Sequence, residues 1–192
     1  MRRAKVERNT LETKVKVEIN LDGKGESRIG TGMGFLDHML NLVAFHGSLD
    51  LKIECDGDLN VDAHHSTEDV GIALGQAFNS ALGDKRGIKR YSSLYIPMDE
   101  ALCRAALDIS NRPYLVFDAD FKSERLGDMS TQDFKEFFRA FVNEARVTLH
   151  LNVLYGENDH HKIEAMFKAF ARALKEAVQV QSDTISSSKG VL

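Results

Sequence analysis

The feature that most constrains this chain is a short motif that occurs twice. His-His-x-x-Glu spans residues 64–68 and again residues 160–164, so the copies lie 96 positions apart in a chain of 192 residues. The apolar positions that follow each copy repeat at the same distance, and the matched pairs are Val70 with Met166, Leu74 with Phe170, and Ala77 with Ala173. Because polar and apolar positions recur together, the sequence predicts two copies of one structural unit.

The hydrophobic pattern predicts the same order of elements in each half: three strands, a helix, a strand and a helix. We therefore expect an α+β fold, an internal duplication of a βββαβα unit with the helices packed between two four-stranded sheets. No Pro-, Gly- or Ser-rich linker separates the halves. The expected organisation is a single domain over residues 1–192, built from repeats at about 1–86 and 87–180 and followed by a C-terminal tail.

Composition narrows the class of function. The formal net charge is -4, from 25 basic and 29 acidic residues that are well mixed, so no polybasic tract favours nucleic acid as a partner. No stretch approaches the roughly 20 apolar residues of a membrane span, and a cytoplasmic protein is expected. The two cysteines, Cys55 and Cys103, have no CxxC spacing. A metal site in this chain would therefore use histidine and carboxylate.

The repeated motif has the chemistry of a metal site. Asp62 and Asn158 precede the paired histidines and are strong N-cap types, which places each pair in a first helical turn. Adjacent helical residues diverge by about 100°, so two neighbouring imidazoles suit two ions better than one. Either a dinuclear site or ions shared between subunits would satisfy this pattern. One such pair alone would more simply be a surface helix start, whereas two copies in register favour metal.

Further motifs give the chain a family resemblance. They are GFLDHML at 34–40, DAHHSTED at 62–69, MDEAL at 98–102, SNRPY at 110–114, TLHL at 148–151, HHKIEA at 160–165, FKAFARAL at 167–174 and SSKG at 187–190. In this combination the chain resembles the imidazoleglycerol-phosphate dehydratase family nearly from end to end. The resemblance implies a carbon-oxygen lyase of histidine biosynthesis, which dehydrates imidazoleglycerol phosphate to imidazole-acetol phosphate.

The resemblance also implies a two-metal site, with manganese as the expected metal, that stabilises an imidazolate form of the substrate. The implied ligands are His38, His64, His65, Glu68, His150, His160, His161 and Glu164. From the residues alone, His38 and His150 would be ordinary core or strand histidines. Relatives are similar in forming shells of 24 subunits from trimers, with sites at subunit contacts, so a homo-oligomer is expected here.

The remaining site residues are also implied by the resemblance. Glu12, Asp99 and Glu164 match positions with acid or base roles. The implied substrate-binding residues are Glu12, Arg90, Arg112, Lys168, Ser187 and Lys189, most of them phosphate contacts. From the residues alone, Glu12 and Asp99 would be solvated loop residues and the Ser-Ser-Ser-Lys-Gly tail a disordered end.

Two other functions compete with the lyase. A metal-storing or scaffolding shell protein without turnover is favoured by two departures from the family: Met33-Gly34 replaces Ile-Pro, and Asn41-Leu42 replaces Asp-Gln. A metal-dependent phosphohydrolase would use two ions and the same basic residues. The basic residues argue against storage, and release of inorganic phosphate would identify the hydrolase.

Overall fold

The computed structural model describes residues 1–192 and contains four helices and ten strands. In the first half these are β1 (Arg3–Asn9), β2 (Thr13–Asn20), β3 (Ser27–Gly30), α1 (Gly34–Gly47), β4 (Asp50–Gly57) and α2 (His64–Leu82). The second half contains β5 (Tyr91–Met98), β6 (Ala101–Asp108), β7 (Tyr114–Asp118), β8 (Arg125–Leu126), β9 (Met129–Ser130), α3 (Thr131–Ala145), β10 (Thr148–Tyr155) and α4 (Asp159–Ala177).

The two sheets have the same topology. The strand order is β1-β2-β4-β3 in one and β5-β6-β10-β7 in the other. In each sheet the first three strands in this order pair antiparallel, and the fourth pairs parallel with its neighbour. The predicted duplication of a βββαβα unit is therefore confirmed. The two-residue strands β8 and β9 form a separate small hairpin. The sequence does not predict this hairpin, because two residues are too few to show an alternation of apolar and polar positions.

The helices lie between the sheets and pack across the repeat. Helix α2 of the first half packs on α3 of the second, and α1 packs on α4. One continuous core of 47 buried residues results, drawn from both halves. Phenylalanines of α3 and α4 pack together within it, with the Phe138 and Phe167 ring centroids 4.8 Å apart. Each helix contacts the sheet of its own half on one side and a helix of the other half on another, so the two repeats depend on each other.

Polar groups at the helix starts fix the position of each histidine pair. Asn158 is the N-cap of α4, as predicted, and its Oδ1 accepts the backbone N–H groups of His160 at 2.9 Å and His161 at 3.2 Å. At α2 the N-cap is Ala63, one residue later than predicted, although Asp62 Oδ1 still accepts the His64 N–H at 2.8 Å. None of the four helices combines the length and apolar character needed to cross a membrane.

The seam between α2 and α3 is unusually close because two glycines of α2 face it. A Cβ added at Gly75 would lie 2.6 Å from the Phe141 carbonyl oxygen, and one added at Gly71 would lie 2.7 Å from that of Phe137. Both contacts are with backbone, which cannot rotate away. The absence of side chains at these positions therefore sets the distance between the helices.

We expect Gly75→Ala to destabilise the protein, although alanine normally favours a helix over glycine. The overpacked seam should cost roughly 1–3 kcal/mol, measured as the loss of unfolding free energy in urea titrations of the metal-free chain. Gly30→Ala is the matched control, because a Cβ at Gly30 meets nothing within 4 Å. Equal stability of both variants would contradict the close-packed seam.

Candidate active site

One group of side chains that could hold a metal ion joins the two helices α1 and α4. Glu164 Oε2 lies 3.1 Å from Nε2 of His160, which is one turn earlier on α4, and 3.2 Å from Nε2 of His38 on α1. The three donor atoms lie within 4.8 Å of one another. Neighbouring ligands about 2.1 Å from an octahedral ion are about 3 Å apart, so these spacings suit one divalent ion. Three of the eight predicted ligands thus meet in a single chain.

Lys168 is the electrostatic partner of this cluster. Its Nζ lies 2.6 Å from Glu164 Oε1, and the Glu164 side chain is only 10% exposed. Burial acts to raise the pKa of Glu164, but the hydrogen bonds from Lys168 and the two histidines outweigh it, and the net pKa lies below its ordinary value. The carboxylate is therefore held in its anionic form, as a metal ligand or a proton acceptor requires.

The second histidine of the first pair faces a different group of residues. His65 Nδ1 lies 2.9 Å from Asp58 Oδ2 and 3.7 Å from Glu12 Oε2, and these three side chains form a second possible metal group. The hydrogen bond with Asp58 raises the pKa of His65. Glu12 lies in the turn between β1 and β2, so the turn brings this predicted acid or base to the histidine.

The second histidine of the other pair has an equivalent environment. His161 Nδ1 lies 2.8 Å from Glu100 Oε2, and His161 Nε2 lies 3.8 Å from Asp99 Oδ2. Both carboxylates belong to the turn between β5 and β6, which corresponds to the β1–β2 turn of the first half. The backbone N–H of Asn158 and the His161 ring lower the pKa of Glu100 to about 2. Asp99 thus lies beside His161, a predicted ligand.

His64 and Glu68 lie on α2 beside the start of α3. His64 Nδ1 is 3.7 Å from Asp133 Oδ1, and farther along Gln76 donates a hydrogen bond to Glu144 at 3.0 Å. The two helices therefore run in the same direction and in register. Glu68 lies eight residues before Gln76 on α2, and Glu136 lies eight residues before Glu144 on α3. These two glutamates are therefore at the same level of the paired helices.

Glu136 is a candidate ligand that the sequence reasoning missed. Helices α1 and α3 match at an offset of 98, since their left-handed C-caps are Ser48 and Arg146. At this offset every buried position of α1 falls on a buried position of α3, and the pairs are Leu36 with Phe134, Met39 with Phe137, Leu40 with Phe138, Val43 with Phe141, Ala44 with Val142, and Gly47 with Ala145. His38 then corresponds to Glu136, whose side chain is 16% exposed and paired with Arg139.

His150 does not join the other predicted ligands within the chain. It alternates along β10 with the buried Leu149 and Leu151, which face the helices, so its ring lies on the outer face of the sheet. There it lines a groove of about 500 Å³ together with Asp108 and Thr148. The sheet separates His150 from His160 and His161 of α4, which are predicted ligands.

The predicted phosphate contacts fall into two groups. Arg90 donates two hydrogen bonds to Asp108, at 2.7 and 3.2 Å, and one to the tail carbonyl of Ser186 at 2.6 Å. The Arg112 guanidinium lies 3.8 Å from Oδ2 of the same Asp108 carboxylate. The neighbouring tail contains Ser187 and Lys189, and the backbone N–H of Lys189 donates a hydrogen bond to the Ser187 hydroxyl. Lys168 is elsewhere, in the α4 cluster.

The structure thus assembles histidine and carboxylate groups of the kind that hold a divalent first-row metal, without a thiolate. One buried carboxylate oxygen, Asp58 Oδ1, has no hydrogen-bond partner. An unpartnered anionic oxygen beside His65 is in keeping with a nearby cation.

Comparison with known proteins shows the family of the chain. The family model described as imidazoleglycerol-phosphate dehydratase matches residues 31–174. Proteins of that name from Clostridioides difficile (strain 630) and Caldicellulosiruptor saccharolyticus are 68% and 58% identical, covering 100% and 98% of this chain and 100% and 97% of their own lengths.

Solved structures agree as well. The crystal structure of imidazoleglycerol-phosphate dehydratase from Staphylococcus aureus has a TM-score of 0.85 at 45% identity, over 93% of this chain and 99% of its own. That of IGPD from Pyrococcus furiosus in complex with (S)-C348 has a TM-score of 0.85 at 37% identity, over 97% and 100%. With both sequence and fold matching, the chain belongs to the imidazoleglycerol-phosphate dehydratase family.

Proposed function

We propose that this chain is a hydro-lyase of histidine biosynthesis, which removes water from imidazoleglycerol phosphate and yields imidazole-acetol phosphate. The observation that carries the proposal is the meeting of His38, His160 and Glu164 at ligand spacing, in a chain that matches named dehydratases over its full length. The unpaired cysteines, Cys55 and Cys103, suit the reducing cytoplasm, which is the proposed location.

The proposed cofactor is two divalent metal ions per active site, with manganese as the metal. Seven of the predicted ligands keep their role: His38, His64, His65, Glu68, His160, His161 and Glu164. For the eighth we propose Glu136 in place of His150. Glu136 occupies the position in α3 that His38 occupies in α1, whereas His150 lies on the far face of the sheet. Carboxylate for imidazole is an ordinary exchange for manganese.

The reaction needs an electron sink, because no carbonyl lies beside the carbon that loses its proton. The imidazolate ring of the substrate would donate the electron pair that expels hydroxide from the carbon attached to the ring, which leaves an exocyclic double bond. The ring would then accept the electron pair of the neighbouring carbon-hydrogen bond as a base removes that proton, and the resulting enol becomes the ketone. When bound, the metal ions supply charge that stabilises the anionic ring. Glu164, kept anionic beside Lys168, and Asp99, next to His161, are the proposed groups that take and return protons at the reacting carbons. Glu12 supports the same steps from the side of His65.

The phosphate contacts indicate that one chain does not complete a site. The backbone N–H of Arg90 bonds the carbonyl of Ala177, at the last residue of α4. Glu164 lies thirteen residues earlier, about 20 Å along the helix. A three-carbon substrate chain with bonds of about 1.5 Å spans far less. We therefore propose that Arg90 and Arg112 bind the phosphate of a substrate held at a neighbouring chain's metals, in a homo-oligomer of 24 subunits built from trimers.

The activity is tested by following two products at once. Metal-free protein should not turn over imidazoleglycerol phosphate, and added manganese should restore formation of an enolisable ketone without release of inorganic phosphate. Phosphate release would instead identify a hydrolase. Neither product, from a chain that binds manganese, would favour the storage shell.

The eighth ligand is tested by two substitutions. Glu136→Gln should weaken manganese binding at least tenfold, because loss of a ligand costs no less than loss of a residue that orients one. His150→Gln should leave the affinity unchanged. Calorimetric titration of the metal-free protein measures both, and the opposite ranking would return His150 to the ligand set.

A further inference from the structure

We propose that Glu100 and Asp58 are positioning residues that fix the ring tautomers of His161 and His65, so that Nε2 of each ring is the atom offered to metal. This inference rests on the proposed two-metal function. It concerns two carboxylates to which the family resemblance assigned no role.

Glu100 is anchored so that only one of its oxygens faces the histidine. Its Oε1 accepts the backbone N–H groups of Glu157 at 3.1 Å and Asn158 at 2.8 Å, just before α4. Its Oε2 lies 2.8 Å from His161 Nδ1. An ionised carboxylate can only accept hydrogen bonds, so Nδ1 must carry the proton. The lone pair of the neutral ring then lies on Nε2, where a metal ligand needs it.

Asp58 makes the same contact at the other histidine pair. Its Oδ2 lies 2.9 Å from His65 Nδ1, and the side chain is 21% exposed. Its backbone oxygen accepts the N–H of Val61 at 2.8 Å, in the loop that leads into α2. Asp58 follows β4, whereas Glu100 lies in the β5–β6 turn. A hydrogen bond between a carboxylate and the Nδ1 atom of a histidine therefore occurs in both halves, and the carboxylate comes from a different loop in each.

The decisive comparison is between two substitutions at Glu100. In Glu100→Gln the single amide oxygen remains with the two backbone N–H donors, so the NH₂ group faces His161 Nδ1 and donates to it. The proton moves to Nε2, and metal binding at that ring is blocked. In Glu100→Ala the ring has no partner and can still adopt either tautomer. A merely structural role predicts the reverse order, since alanine also loses the backbone hydrogen bonds.

We expect manganese affinity to fall about tenfold in Glu100→Ala and about a hundredfold in Glu100→Gln, the two ends of the range for residues that orient ligands. Asp58→Ala should weaken binding about tenfold without changing the number of ions bound. Calorimetry on metal-free protein gives affinity and stoichiometry, and thermal unfolding of the same samples checks the fold. Asp84→Asn, an exposed site distant in the fold, is the control and should match the unaltered protein.

The outcomes separate the two proposals. If the unaltered protein binds no manganese, the proposed function fails and this inference fails with it. If it binds manganese but Glu100→Gln binds as tightly as Glu100→Ala or more tightly, the inference alone is overturned. Loss of a whole ion in Asp58→Ala would make Asp58 a ligand and would overturn its positioning role.

Discussion

The divergence of adjacent side chains in a helical turn governs the arrangement of this site. Two neighbouring histidines point about 100° apart, so each pair must find partners in two directions. His160 turns toward Glu164 and His38, whereas His161 turns toward Glu100. Carboxylates therefore lie beside the histidines of both pairs, which agrees with the proposal that each pair serves two metal ions.

The duplication supplies these flanking groups because helices of one repeat pack against helices of the other. Since α1 packs on α4 and α3 on α2, each histidine pair lies beside a helix from the other half. The close seam at Gly71 and Gly75 holds α2 against α3, and the shared core ties both sheets to the same helices. The helices that bury the apolar core also carry most of the predicted metal ligands, so the packing that folds the chain also positions those side chains.

The sequence predicts most of the fold, because apolar periodicity identifies strands and helices and the repeat pairs them. It also predicts the histidine pairs, which need only local spacing. The sequence does not predict Glu136, because α1 and α3 match at an offset of 98 residues whereas α2 and α4 match at 96. With an offset of 96 applied to the whole chain, His38 is not matched to Glu136. The contacts of Asp58 and Glu100 with the histidines are not predicted for another reason. Their hydrogen bonds join loops to helices, and no periodic pattern records such contacts.

We infer that the proposed metal cluster and the arginines of one active site come from different chains. Co-assembly of two inactive variants, His160→Ala and Arg90→Ala, tests it most directly. In random mixtures about one site in four should combine intact halves, so about a quarter of the activity should return. His160→Ala mixed with Glu164→Ala should stay inactive, because these side chains meet within one chain. No recovery with the first pair would contradict a site shared between chains.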